Sequence, residues 1–338
     1  MAKRKWARPQ MLLLAAIAVV VLSVAGWGAY HYMFTVPGAS HQGALPALTP
    51  DERTLAGNIK THIATIAAKE HNIDTYDELE KVAQYIERTL TRYGYKTVPQ
   101  QYTVRGKQVR NIEATIEAAT PDAETIVVGA HYDSAQGTPG ANDNASGTAS
   151  VLELARLLSD LKGKSGKRIR LVLFVNEEPP YFATADMGSA RYARMLKERG
   201  ERVTAMYSLE TMGFYSDKPD SQKYPMPLGA LFPNTADFVS FVGMLGSREL
   251  VHEALASFRS HTPFPTVGGV SPGFIAGIAW SDHRSFDREG FQALMITDTA
   301  LFRYPHYHEP TDTPDKIDNE RLARVVKGVE RVVRDKAK

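Results

Sequence analysis

Cysteine is absent from all 338 residues, which excludes disulfides, thiolate nucleophiles and sulfur-ligated metals. Histidine, aspartate and glutamate are left as the strong ligands. The same absence is compatible with an oxidising compartment. An excess of charge is missing too: 40 lysines and arginines stand against 38 aspartates and glutamates, a formal net charge of +2. Composition therefore offers no basic face for nucleic acid, and a small or neutral substrate fits better. Internal repeats and low-complexity tracts are lacking as well. The length suits one large α/β domain with a sizeable core.

One long hydrophobic run is present, at the start. Lys3, Arg4, Lys5 and Arg8 precede an uncharged stretch from Met11 to Tyr30, about 20 residues, the length of a helix across bilayer hydrocarbon. Trp27, Tyr30 and Tyr32 suit an interfacial belt. The basic flank comes first, so the positive-inside rule places the N-terminus in the cytoplasm and everything after residue 34 outside. A cleaved signal peptide is the competing reading; the length of the run and the lack of an A-x-A site favour a retained anchor. The expected organisation is a basic flank (1–10), an anchor or signal segment (11–30), a Pro-, Gly- and Ala-rich linker (31–49) and a single domain (50–338). A bacterial inner-membrane protein with one span and its domain on the periplasmic or extracytoplasmic side follows.

Residues 51–69 and 75–93 carry apolar side chains at helical spacing, among them Leu79, Val82, Ala83, Ile86 and Leu90. Segments 97–104 and 108–117 predict strands. Beyond them the pattern becomes strand, loop, helix, repeated. Thr125 to Ala130, Ile169 to Val175, Val203 to Leu209 and Ala293 to Thr297 are short apolar runs rich in β-branched residues, with helices expected at 145–160 and 188–199. The expected fold is a three-layer α/β/α domain around a mixed, largely parallel sheet.

Chemistry gathers after these strands. His131 and Asp133 follow the first run, Asn176-Glu177-Glu178 the second and Glu210 the third; Asp143 lies in the loop GANDNASG and His308 beyond the last run. Ligands bind outside the carboxyl ends of strands in open α/β sheets, so these residues are expected to converge. Carboxylates crowded in one cleft repel one another unless cations are present. Histidine and carboxylate without sulfur is the donor set of catalytic zinc, and Asp143 is a candidate bridge in a two-metal site. The adjacent glutamates can divide the work, Glu178 on metal and Glu177 as the base that takes a proton from an activated water and passes it to a leaving amine.

Each piece taken alone has an ordinary explanation: a loop, a solvated helix start, or a Gly/Asn turn with a helix cap. The sequon at Asn144 is a chance match in this setting. Spacing leaves Asp282, His283 and His306 open between ligand and structural roles, and Arg303 and Tyr304 open between pocket and packing. His31, His41, His62, His71, His252 and His261 have no partner pattern and read as surface or structural.

The set VVGAHYDS, GANDNASG, FVNEEPPYF with MGSARYA, SLETMGF, SDHRSF and YHEPTDTPDKID, in this order over residues 125–318, resembles metallopeptidase family twenty-eight. That group contains the bacterial leucyl-type aminopeptidases and glutamate carboxypeptidase-like enzymes. The resemblance implies two zinc ions per chain, one on His131 and Glu210, the other on Glu178 and His308, with Asp143 bridging and Glu177 as general base. It further implies that Asp133 orients the first histidine, that Asp282 lies near the catalytic glutamate and that Asp312 steadies the loop of His308. Pro179-Pro180-Tyr181-Phe182 departs from the family's glycine-rich text and is expected to reshape one wall of the substrate pocket.

The function implied is hydrolysis of peptides from one end, of the aminopeptidase type. Two others stand against it. Glutaminyl cyclases resemble the same scaffold with one zinc and tryptophans near the glutamates and before the last histidine; Tyr181 or Phe182 and Tyr307 occupy those places here, and Trp280 is the sole tryptophan of the domain. A membrane-tethered binding protein without catalysis would be expected to have lost ligands or base, and all six positions are present.

Overall fold

The computed structural model describes residues 8–226 and 228–338; Lys3, Arg4 and Lys5 of the expected basic flank lie outside them. Helix α1 (Arg8–Phe34) is long and apolar enough to cross a membrane. Its apolar side chains are exposed along most of its length. A helix apolar on all sides needs lipid or protein around it.

Helix α2 (Pro50–Ile66) starts at a capping box in which Thr49 and Glu52 satisfy each other's amides, and α3 (Tyr76–Arg92) follows. Strands β1 (Val98–Val104) and β2 (Lys107–Ile116) form a hairpin that turns through Arg105 and Gly106, both at positive φ. The alternation then runs β3 (Thr125–His131), α4 (Gly147–Leu157), β4 (Arg168–Phe174), α5 (Gly188–Glu198) and β5 (Val203–Glu210). It continues with β6 (Val239–Met244), α6 (Arg248–His261), β7 (Thr266–Ser271), α7 (His283–Arg288), β8 (Ala293–Thr297) and α8 (Asn319–Lys336).

The strands make one eight-stranded sheet in the order β1-β2-β4-β3-β5-β8-β6-β7. Strands β4, β3, β5 and β8 are parallel neighbours; β1 and β2 pair antiparallel at one flank, and β6 runs antiparallel to β8 and parallel to β7 at the other. Alternate side chains of each strand face opposite layers. Ile126, Val128 and Ala130 join a large core with residues of α2, α4, α6 and α8. Val127 joins a smaller one with Tyr192, Ala193 and Leu196 of α5 and Phe286 of α7. The three-layer α/β/α expectation holds, with a mixed sheet whose parallel strands are central.

The segment expected as a spacer, 31–49, lies along the domain. Arg259 donates to the carbonyls of Pro37 and Gly38 at 2.7 and 2.9 Å, and Thr266 N donates to Ser40 Oγ at 2.8 Å. The elements β6, α6, β7, α7 and α8 were not expected from the sequence pattern.

Candidate metal centre and substrate cleft

Because β4, β3, β5 and β8 are parallel neighbours, their carboxyl ends lie at one edge of the sheet. His131 and Glu210 are the last residues of β3 and β5; Glu177 and Glu178 follow β4, and His308 reaches the edge from the long loop after β8. Asp143 arrives on the irregular turn Ala141–Ser146 before α4.

His131 Nε2 lies 3.2 Å from Asp143 Oδ1 and 3.4 Å from Glu210 Oε2. His308 Nε2 lies 3.0 Å from Asp143 Oδ2 and 3.3 Å from Glu178 Oε2. Two triads, His131–Asp143–Glu210 and Asp143–Glu178–His308, thus share Asp143, each with its donor atoms within 4.8 Å of one another. His131, Glu177 and Glu178 form a third such group, in which Glu177 Oε2 is 3.9 Å from His131 Nε2. The residues fit metal: the Nε2 atoms of His131 and His308, Asp143 Oδ1 and Glu178 Oε1 are buried and make no hydrogen bond. Buried polar atoms ordinarily find a partner.

Neighbouring side chains hold this arrangement. His131 Nδ1 donates to the Asp133 carbonyl at 3.0 Å, which leaves the Nε2 lone pair facing the carboxylates. The Asp133 carboxylate lies 3.5 Å from the same Nδ1, and its two oxygens also accept from the amides of Glu177 and Glu178 at 3.1 and 3.2 Å, fixing the start of both glutamates. Asp312 accepts from the amides of Asn142 and Asp143 at 2.8 and 3.1 Å and from the Tyr304 hydroxyl at 2.7 Å. It ties the His308 loop, of which it is part, to the Asp143 turn. Asn142 and Asn144 clamp that turn from either side. Asn142 accepts from Gly213 N and donates to Asp298, while Asn144 Oδ1 accepts from Gly147 N and Thr211 N. Ser281 Oγ donates to Glu210 Oε2 at 2.7 Å.

Without a cation the charges conflict. Burial pushes Glu178 up to about 7, helped by the Asp143 carboxylate, and holds Glu177 well above the ordinary range. Burial opposes charge on the imidazoles, yet the Asp143 and Glu178 carboxylates beside His308 carry it up to about 10. Glu210 and Glu177 raise His131 in the same way. Asp282 is fully buried with neither oxygen hydrogen-bonded, and burial lifts it to about 7; it and Glu177 raise each other's affinity for a proton.

A cleft with about 900 Å³ of empty space opens beside the triads, with Glu210 and Tyr307 in its wall. The Tyr307 ring stacks on His308, centroids 4.0 Å apart. The other walls are largely apolar, from residues 224–232, 267–280 and 299–302, together with Phe34 of α1. Pro179 to Phe182, expected to shape a wall, are not among the lining residues.

A model of Peptidase family M28 matches residues 111–333. The chain belongs to peptidase family M28. As an M28 peptidase it is a metallopeptidase of the aminopeptidase-like hydrolase class. It is 39% identical over 76% of its length to the uncharacterised protein YfbL of Escherichia coli, spanning 80% of that protein. It is 28% identical over 73% of its length to leucine aminopeptidase 1 of Arthroderma otae, spanning 62% of that chain. Among solved structures, a zinc aminopeptidase from Bacillus subtilis is 26% identical, with a TM-score of 0.55 over 69% of this chain and 51% of the other. The glutaminyl cyclase of Porphyromonas gingivalis shares the fold at 18% identity, with a TM-score of 0.62 over 83% of this chain and 98% of the other.

The structure also sorts the residues that spacing left open. In this M28 peptidase His283 is buried and bonds the Ile278 carbonyl at 2.8 Å, with burial lowering it to about 4; His306 bonds Thr311 Oγ1. Arg303 is buried, donating to the Gln222 side chain and the Phe238 carbonyl, and is not among the residues that line the cleft. Asp298, Asn142, Asn144 and Ser281 were missed. Asp298 directly follows β8, the same signal that marks Glu210 at the end of β5. The asparagines are neutral and read as turn formers.

Proposed function

We propose that this M28 peptidase is a dinuclear zinc aminopeptidase, held at a bacterial inner membrane by α1 with its catalytic domain on the periplasmic or extracytoplasmic side. The observation that carries the reading is that the two oxygens of Asp143 face two histidine nitrogens, His131 Nε2 and His308 Nε2, at 3.2 and 3.0 Å. His131, Asp143 and Glu210 would hold one ion and Asp143, Glu178 and His308 the other. Bound zinc supplies Lewis-acid polarisation of the scissile carbonyl and lowers the pKa of a water in its reach. Glu177 takes the proton of the attacking water and returns it to the departing amine. Its backbone is fixed by Asp133, and its burial and the neighbouring carboxylates raise its affinity for a proton well above that of an ordinary glutamate. The apolar cleft beside Glu210 and Tyr307 supports an apolar residue at the cleaved end, and the names of the fungal relatives agree with this.

The test is metal content together with turnover on leucyl anilides and dipeptides, using the full chain in detergent. About two zinc per chain, loss of hydrolysis with chelator and recovery with zinc are expected. Near one zinc per chain, with cyclisation of N-terminal glutamine in place of hydrolysis, would replace this reading by that of a glutaminyl cyclase.

A further inference from the structure

Among the described residues beyond α1, the large apolar side chains that stand exposed are Val98, on the far edge strand β1, and six others. Those six are Met226, Leu231, Leu245, Phe274, Trp280 and Leu301, with Met226 91% and Phe274 85% exposed. Single exposed apolar residues are ordinary on a protein surface, but a gathered set marks an interaction face. Trp280 and Leu301 line the cleft; Met226, Leu231 and Phe274 sit on the loops that form its walls. Leu245 gives its carbonyl to the Tyr32 hydroxyl at 3.1 Å.

The last turn of α1 is built into this same face. Arg248 Nε donates to the Tyr32 carbonyl at 2.8 Å. The Phe34 ring meets Phe232 edge-on, centroids 5.4 Å apart, and lines the cleft. A Cβ on Gly269 of β7 would overlap the Met33 carbonyl, so the strand is bare where the helix lands. The apolar run of α1 ends near Tyr30. Phe34 is four helical residues further, about 6 Å along the axis, and the headgroup layer is about 5 to 8 Å deep on each side. With that apolar run in the bilayer core, a wall of the cleft would stand at headgroup depth. Tryptophan and tyrosine rings, such as those of Trp280 and Tyr224 here, favour that layer.

We infer that the apolar rim of the cleft is a second membrane contact, continuous with the end of α1, so that the site opens onto the bilayer surface and takes peptides lying on it. The inference rests on the anchor reading of α1 given above. A peptide whose end is held in the headgroup layer enters the cleft without crossing bulk water. The rim residues exchange water for lipid on the outside while their backbones support the walls.

The full chain, with Trp6→Phe and Trp27→Phe so that Trp280 is the sole tryptophan, is placed in phosphatidylcholine–phosphatidylglycerol vesicles with or without brominated acyl chains. Brominated lipid is expected to quench Trp280 fluorescence at least about twofold, since the ring is proposed to lie at headgroup depth. In the same vesicles Met226→Glu with Phe274→Glu is expected to raise KM about tenfold for a leucyl peptide carrying a C-terminal acyl chain, about 1.4 kcal/mol. KM for a short soluble leucyl substrate stays as it was. A chain that fails to float with the vesicles after carbonate washing overturns both the anchor reading and this inference. A floating chain whose Trp280 stays unquenched overturns the inference alone. Quenching without any peptide hydrolysis upholds the membrane-facing rim and overturns the peptidase reading.

Discussion

Glu177 and Glu178 are neighbours in the chain, share Asp133 as the acceptor of their amides, and still point to different partners. Glu178 lies 3.3 Å from His308 Nε2, whereas the nearest imidazole nitrogen to Glu177 is His131 Nε2 at 3.9 Å. A base needs a carboxylate that can lose and regain a proton, and an amide cannot do this. Glu177→Gln is therefore expected to cut kcat by about 10² to 10⁴ while zinc content, measured by atomic absorption, stays at the wild-type value. A drop in bound zinc would instead make Glu177 a ligand, as its membership of the third donor group allows. Asp312 can be tested as sharply. Both its oxygens accept from backbone amides, so in Asp312→Asn an NH₂ group must face one of those N–H donors. The buried mismatch is expected to cost about 1 to 3 kcal/mol in urea unfolding and to weaken zinc affinity about 10- to 100-fold in a chelator competition. Wild-type affinity would separate Asp312 from the site. The charged residues were legible because an ionisable group directly after a buried β-run has few reasons to be there. The asparagine clamps and Ser281 were not, since a neutral side chain in a Gly/Asn loop has several.

At the level of elements, β3, β4, β5 and β8 could be read because a strand buried on both faces is a continuous apolar run. Strands β6 and β7 carry VSFVGM and TVGGVS, where glycine and serine dilute the signal. The glycines have local causes: a Cβ on Gly243 would strike Val251 of α6, and one on Gly268 would strike Leu255 of α6. Helix packing thus selects the residues that hide these strands from pattern reading. The same steric logic gives two predictions of opposite sign. Gly129 in β3 lies under the Phe174 ring and against the Val172 carbonyl, and a backbone carbonyl cannot swing aside, so Gly129→Ala is expected to destabilise by about 1 to 3 kcal/mol. Gly57, on the exposed side of α2, has nothing within 4 Å of an added Cβ, so Gly57→Ala is expected to stabilise by up to about 1 kcal/mol. Urea midpoints at unchanged m-value measure both; equal effects would mean that the packing around Gly129 is loose.

For the whole molecule the metal centre sets how stability depends on pH. In the chelated chain the Glu178 carboxyl titrates at about 7 instead of its ordinary 4.5. Between those values the unfolded chain has released the proton and the folded chain has not, so stability falls as pH rises through that window. His308, raised from 6.5 to about 10 by Asp143 and Glu178, contributes stability that is fully present below 6.5 and is lost on the way up to about 10. The two windows adjoin and act in the same direction. Asp143, held below its ordinary 3.8 by the two histidines, acts oppositely but only at acid pH. The chelated protein is therefore expected to lose stability steadily from about pH 5 to about pH 9. Cations in the two triads would remove the repulsion that drives this loss, so the gap between the urea midpoints of zinc-loaded and chelated chains should widen over the same range. A gap that narrows as pH rises would mean that the buried carboxylates are relieved by something other than metal.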